Sequence, residues 1–286
     1  MPADMTPSPV LDAADHSRDS TGMTYVYAVV SRRAGGVSIG INLNPNHACN
    51  WRCIYCQVPD LVRGPAPAID LVQLDAELRQ MLREIVQGDF LQQRVAEGAR
   101  HLEDIAFSGN GEPTSAREFP QAVDLVAQAM RDFGLADQIR LRLITNGSLM
   151  DRPEVLAAVS QLSRCNGEIW FKVDAATSAG IARINDVRLN PQQVVRRLRH
   201  CAERCPTWVQ TCMFALDGAP PAEAEISAWL ELLAQVAPQL AGVHLYGLAR
   251  PSMQPEAPRL SRLPEAWMEQ LADRAGRLGL TVQVSP

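Results

Sequence analysis

Residues 38–56 read Ser-Ile-Gly-Ile-Asn-Leu-Asn-Pro-Asn-His-Ala-Cys-Asn-Trp-Arg-Cys-Ile-Tyr-Cys, a short β-like run followed by three cysteines. Cys49, Cys53 and Cys56 form a Cys-x3-Cys-x2-Cys triplet. Three thiolates suit three irons of a [4Fe–4S] cube, because Cys is the usual ligand to such clusters. With no fourth Cys in the loop, one iron stays open to an added ligand. Zinc competes for clustered cysteines, but a structural zinc takes four ligands, normally as two close pairs. A helix carrying Cys at i, i+4 and i+7 would bury them as one apolar stripe. Asn44-Pro45 just upstream and the lack of a longer periodic pattern argue against that helix.

On either side of this stretch the chain alternates β-like runs with amphipathic helices, the pattern of a parallel α/β sheet. Strands are expected at residues 38–43, 104–107, 140–144, 168–173, 208–214 and 243–248, with a short last one at 280–284. Between them, Leu71, Leu74, Leu78, Leu82 and Ile85 recur at helical spacing behind Asp70, an N-cap type. Further helices are expected near 118–133, 153–162, 191–204, 222–236 and 264–278, the third opened by Asn190-Pro191. Six βα units without an internal repeat point to a (β/α)6 partial TIM-type barrel. Residues 1–22, rich in Asp, Ser, Pro and Ala, read as a disordered tail before a single domain at 23–286.

The 286 residues carry a net charge of −5, and 47% are hydrophobic. That is enough for a full core, and it lacks the basic field with which nucleic-acid binders collect phosphates. No apolar run approaches the ~20 residues that span a bilayer, and no secretory signal is visible. Seven cysteines, an odd number with one tight cluster, fit a reducing cytoplasm better than a disulfide framework. Of 27 Lys+Arg, one is lysine, Lys172. A lone surviving amine among arginines is read either as a site where a guanidinium will not serve, such as an imine or a compact donor, or as an accident of drift or a simple ion pair with Asp174.

In such folds chemistry gathers where the βα loops leave the C-terminal strand ends. There stand Ser108-Gly109-Asn110-Gly111-Glu112-Pro113 after the second strand and Thr145-Asn146-Gly147-Ser148 after the third. Phe171-Lys172-Val173-Asp174 closes the fourth, and alternation puts Lys172 and Asp174 on one face. An inward charged pair is costly unless it is used or fully paired, so it is read either as catalytic or as a structural ion pair. Ser31-Arg32-Arg33 and the weaker Arg250-Pro251-Ser252 are read as solvated faces ahead of anion sites. Cys201, Cys205 and Cys212 read as buried thiols, and His47 as a hydrogen-bonding neighbour of the triplet.

Together with Tyr25-Val-Tyr, Ser31-Arg-Arg and Gly40-Ile-Asn-Leu, these motifs resemble the radical S-adenosylmethionine (SAM) superfamily. The likeness is to the branch related to the enzyme that builds the wyosine base of tRNA, over residues 24–250. The resemblance implies a [4Fe–4S] cluster on Cys49, Cys53 and Cys56, with SAM on its open iron and cleaved to a 5′-deoxyadenosyl radical. It implies that Gly109, Asn110, Gly111 and Glu112 bind the SAM methionine end. Tyr55 is read either as packing on the adenine or as shielding the cluster, and Thr145 with Asn146 either as meeting the ribose or as an ordinary Asn-Gly turn. It further implies a reductant such as flavodoxin or ferredoxin, and a substrate ranked as a modified RNA base ahead of a small metabolite or peptide. The wyosine enzyme's second cluster uses cysteines upstream of the triplet, and this chain has none before Cys49. A non-catalytic iron–sulfur or zinc module is the contrasting reading, one that leaves the Gly-Asn-Gly-Glu loop without a purpose.

Overall fold

The computed structural model describes residues 11, 22–31 and 35–286. Arg32, Arg33 and most of the expected tail lie outside the described residues. Within the tail, Leu11 is buried, and its amide donates to the Arg94 carbonyl at 2.7 Å.

Eight strands form one sheet in chain order: β1 (Val26–Val30), β2 (Val37–Asn42), β3 (Leu102–Ser108), β4 (Arg140–Thr145), β5 (Gly167–Lys172), β6 (Thr207–Cys212), β7 (Gly242–Tyr246) and β8 (Val282–Ser285). All neighbours from β2 to β8 are parallel, while β1 pairs antiparallel with β2, Val26 opposite Ile41. Every core strand expected from the sequence is present, and the alternation of helix and strand builds the expected α/β barrel segment. The edge strand β1 is an addition. Its five residues, Val-Tyr-Ala-Val-Val, have no helix between them and β2, so no βα period announced it.

The outer layer consists of α1 (Leu71–Val86), α2 (Phe119–Asp132), α3 (Pro153–Ser163), α4 (Ser178–Asn185), α5 (Pro191–Ala202), α6 (Glu223–Ala234) and α7 (Glu265–Gly276). Asp70 caps α1 by accepting from the Val72 and Gln73 amides, both at 3.0 Å. Leu74, Leu78, Met81 and Leu82 then face the sheet, fully buried. Helix α4 was not expected. It has only eight residues with mixed polarity, too short to show a convincing 3.6-residue period.

Strand alternation separates two interiors. Ile39, Ile41, Ile105, Phe107, Leu141, Leu143, Ile169 and Phe171 point outward into the core under the helices. Their neighbours Ser38, Asp104, Arg142, Trp170, Lys172 and Gln210 line a cavity on the concave side. The concave face therefore carries buried charged and polar side chains set among apolar ones such as Ile144 and Trp170. No helix among the described residues is long and apolar enough to cross a membrane.

Replacing Asp70 with Ala removes both capping bonds of α1. The expected loss is about 1 kcal/mol of stability, read as a lower urea midpoint at unchanged slope.

Candidate functional site

The cysteine loop follows β2 and has almost no regular structure of its own, so its position comes from its neighbours. Helix α4 supplies two carbonyls that would otherwise be orphaned at its C-terminus. Asn185 O accepts from the Arg52 amide at 3.2 Å, and Ile184 O from the Ile54 amide at 2.9 Å. On the other side, Ser252 Oγ donates to Ile54 O at 2.7 Å, and the Met253 amide donates to Cys56 O at 2.8 Å. Arg52 clamps the loop tip through Glu256, at 3.0 and 2.9 Å, and reaches Asp186 at 3.0 Å. Of these supports, only Ser252 stood out in the sequence, as part of the Arg250-Pro251-Ser252 anion candidate; Met253, Glu256 and Asn185 did not. These three lie far from the triplet along the chain, and none carries a motif.

All three cysteines are free and border one cavity of about 730 Å3 at the C-terminal end of the strands. Burial pushes the Cys49 thiol up to about 12, and burial raises Cys53 as well. Ligation requires the thiolates, so metal loading would release protons. Cys53 Sγ accepts from Asn185 Nδ2 at 3.2 Å, and Cys49 Sγ from the Trp51 amide at 3.5 Å. Among the described residues, no three His, Cys, Asp or Glu groups converge as a single ion requires. A structural zinc takes four ligands, whereas this loop offers three thiols, one for each of three irons of a four-iron cube, so the donor set suits a cluster better than zinc. His47 lies outside it, its Nδ1 3.0 Å from the Pro59 carbonyl.

The loops after β3 and β4 interlock around Glu112, which is buried. Its Oε1 accepts from Thr114 Oγ1 at 2.6 Å and Thr145 Oγ1 at 2.7 Å, and its Oε2 from the Asn146 amide at 2.7 Å. Burial raises this carboxyl, while those donors favour its charged form. Gly109, at φ +132°, and Gly111 are demanded by the protein itself. A Cβ would stand 2.5 Å from Asn42 Oδ1 at the first and 2.1 Å from the Ala48 carbonyl at the second. The Gly-Asn-Gly-Glu loop is thus pressed against the stem of the cysteine loop. The Asn110 amide joins it there, donating to Asn42 Oδ1 at 3.1 Å. Asn146 Nδ2 closes the knot by donating to Asn50 Oδ1 at 2.8 Å.

Tyr55, Lys172 and Asp174 belong to one hydrogen-bonded chain. Lys172 Nζ donates to Tyr246 at 2.8 Å and to Tyr55 at 3.0 Å, and Tyr55 donates to Asp174 Oδ2 at 2.5 Å. Asp174 also accepts from Asn185 Nδ2 at 2.9 Å and the Cys212 amide at 3.1 Å. No direct ion pair joins Lys172 and Asp174 among the contacts of the described residues; the Tyr55 hydroxyl stands between them. Burial works against the ammonium, but Tyr246, Asp174 and Cys53 raise Lys172 above its usual range. The cavity brings together the triplet, Tyr55, residues 109–112, Thr145, Asn146 and Lys172, whereas Asp174 sits behind Tyr55 rather than on the wall.

Deeper in the barrel, Asp104 accepts from Ser38 and Arg142, and Arg142 also donates to Glu168 at 3.0 Å. Gln210 lines the same cavity between Lys172 and His244 in the strand register. These residues were missed, because one polar residue in an apolar strand announces nothing until the sheet shows which way it points. Arg250 reaches the cavity, while Ser252 serves the cysteine loop. Cys201 and Cys205 are buried thiols, as expected, and Cys212 packs with Ile54, Tyr55 and Phe214.

Residues 43–230 match the profile of the Radical SAM superfamily. The chain superposes on a radical SAM methyltransferase from Sphaerobacter thermophilus with TM-score 0.58 at 14% identity, covering 91% of this chain and 68% of that one. For TYW1, solved with a lysine-pyruvate adduct bound, the TM-score is 0.56 at 15% identity, over 85% of this chain and 74% of that one. In sequence, it is 26% identical over 153 residues to the UPF0026 protein MJ1312 of Methanocaldococcus jannaschii, 54% of this chain and 41% of that protein. A segment of 127 residues is 28% identical to GTPase Obg of Brachyspira hyodysenteriae, 44% of this chain and 16% of that protein. The chain thus spans less than half the length of either curated relative. It belongs to the radical SAM superfamily, whose enzymes bind a [4Fe–4S] cluster and SAM.

The Arg52–Glu256 clamp gives a pH-dependent prediction. Arg52 holds the Glu256 carboxyl below its usual range, so the pair stabilises the fold above the unfolded carboxyl's pKa and loses its effect as pH falls through the folded one. Glu256→Gln should cost up to about 1 kcal/mol at neutral pH. In urea titrations the gap to the unmodified protein should close in acid.

Proposed function

We propose that this radical SAM superfamily member holds its cluster on Cys49, Cys53 and Cys56 and takes a hydrogen atom from a substrate group seated beneath them in the barrel. The substrate class we assign is a modified RNA base, as the resemblance to the wyosine branch implies, with electrons delivered by a flavodoxin- or ferredoxin-like protein. The observation that carries the reading is one continuous cavity, with the three thiols at its rim and polar side chains on its walls. When bound, the cluster and SAM supply an electron and a carbon-centred radical able to abstract hydrogen.

The chain's own residues do the rest. Glu112 Oε2 accepts from the Asn146 amide and keeps capacity for the SAM ammonium. The rigid 109–112 loop presents its backbone to the methionine end, and Asn146 with Thr145 borders the ribose. Tyr55 and the side chains around it shield the site from water. Asp174 is a positioning residue, fixing Tyr55 and, through Asn185, touching the cluster ligand Cys53.

Lys172 acts in this reading as a compact cation. Two of its three donors go to Tyr55 and Tyr246, and the third is available to a carboxylate of SAM or substrate. An imine needs the neutral amine, which these surroundings disfavour. The lysine-pyruvate adduct belongs to TYW1, with which this chain shares its fold.

Two experiments test these assignments. After anaerobic reconstitution with iron and sulfide, the enzyme should turn brown and release 5′-deoxyadenosine from SAM under dithionite. Cys53→Ala should lose most of its iron and that product; full iron content with unchanged cleavage would remove Cys53 from the ligand set. Separately, borohydride trapping with pyruvate should leave the Lys172 peptide mass unchanged, and a reduced adduct on it would make the amine a nucleophile.

A further inference from the structure

Gln210 sits at the centre of β6, fully buried, on the wall of the cavity that holds the cysteines. Among the described residues, neither its Oε1 nor its Nε2 has a hydrogen-bond partner. Each such group forfeits its water bonds without replacement, a cost that natural interiors ordinarily avoid. Leu or Met would fill the same volume without that cost. The strand register places Lys172 on one side of Gln210 and His244 on the other. Beneath them His244 stacks on Trp208 at 4.6 Å and tilts against Trp170 at 4.6 Å, so one side of the position is aromatic. Lys172 Nζ is already turned to the two tyrosines and leaves the amide unserved.

We infer that Gln210 is a substrate-recognition residue whose carboxamide reads a lactam or carboxamide edge inside the barrel. The inference rests on the proposed function and names the substrate chemistry of that same site. A primary amide offers a donor beside an acceptor, and a ligand offering an acceptor beside a donor satisfies both atoms with two parallel bonds. An ionised carboxylate satisfies only Nε2 and sets its charge against Oε1. An apolar ligand satisfies neither. A flat heterocycle with a lactam edge also suits the aromatic ground below. Such an edge occurs on RNA bases and on free heterocyclic metabolites, and the two sources differ in what is attached to the ring.

The test uses the reconstituted holoenzyme with SAM, titrated calorimetrically with inosine and with purine riboside, nucleosides that differ only in the lactam. A short RNA hairpin with inosine in its loop, and its purine-riboside counterpart, form the second arm. The wild-type enzyme should prefer the lactam in at least one arm by about tenfold or more. Preference in the hairpin arm supports an RNA source; preference confined to the nucleoside supports a free metabolite. Gln210→Leu should abolish the preference and raise the melting temperature by about 2 °C or more, since it removes an uncompensated buried amide. Equal affinity for the paired ligands in both arms would overturn the inference. So would a Gln210→Leu protein that keeps the discrimination, or one that melts lower, because the amide would then be serving the fold. Formation of 5′-deoxyadenosine by the wild-type enzyme, measured without any of these ligands, separates this outcome from failure of the radical SAM assignment.

Discussion

A loop that must hold three thiols apart has little secondary structure to lean on, and here its geometry comes from hydrogen bonds to its backbone. The Arg52 and Ile54 amides hang from the last carbonyls of α4, while Ser252 and Met253 take up the carbonyls of Ile54 and Cys56. These bonds join residues that lie some 130 to 200 positions apart in the chain. The same helix end supplies Asn185, which donates to Cys53 and Asp174. The support of the cysteine loop and the network of the lone lysine therefore share one side chain.

The second organising feature is the polarity of the concave face. Alternation along each strand sends aliphatic residues outward under the helices and Ser38, Asp104, Arg142, Lys172 and Gln210 inward. Most of those charges are paired inside the barrel, as Asp104 and Glu168 are with Arg142. Lys172 is answered by hydroxyls instead of a direct carboxylate, which leaves a donor for a ligand. A polar interior of this kind is stable only when each group is satisfied or is waiting for something to satisfy it.

Much of the architecture was legible beforehand because its signals are local. The cysteine spacing, the Asp70 cap and the leucine period of α1 lie within a few residues of one another, and each was found where expected. The edge strand β1 and the short helix α4 escaped, one for want of a helical period beside it and the other for want of length. The glycines of the 109–111 loop drew notice as part of the stretch expected to bind the methionine end of SAM. Their side-chain space is in fact occupied by Asn42, Asn44 and Ala48 of the cysteine-loop stem.

By itself, then, the sequence determined the order of strands and helices, the thiol triplet and the loops that gather beside it, because hydrophobic period and residue spacing are written along the chain. The tertiary structure decided what those loops touch. It put Tyr55 between Lys172 and Asp174, tied Glu112 to Thr145 and Asn146, and turned Gln210 inward beside the lysine. Such pairings depend on strand register and on closure across the sheet. Contacts between distant segments are chosen by packing and leave no mark on either segment alone.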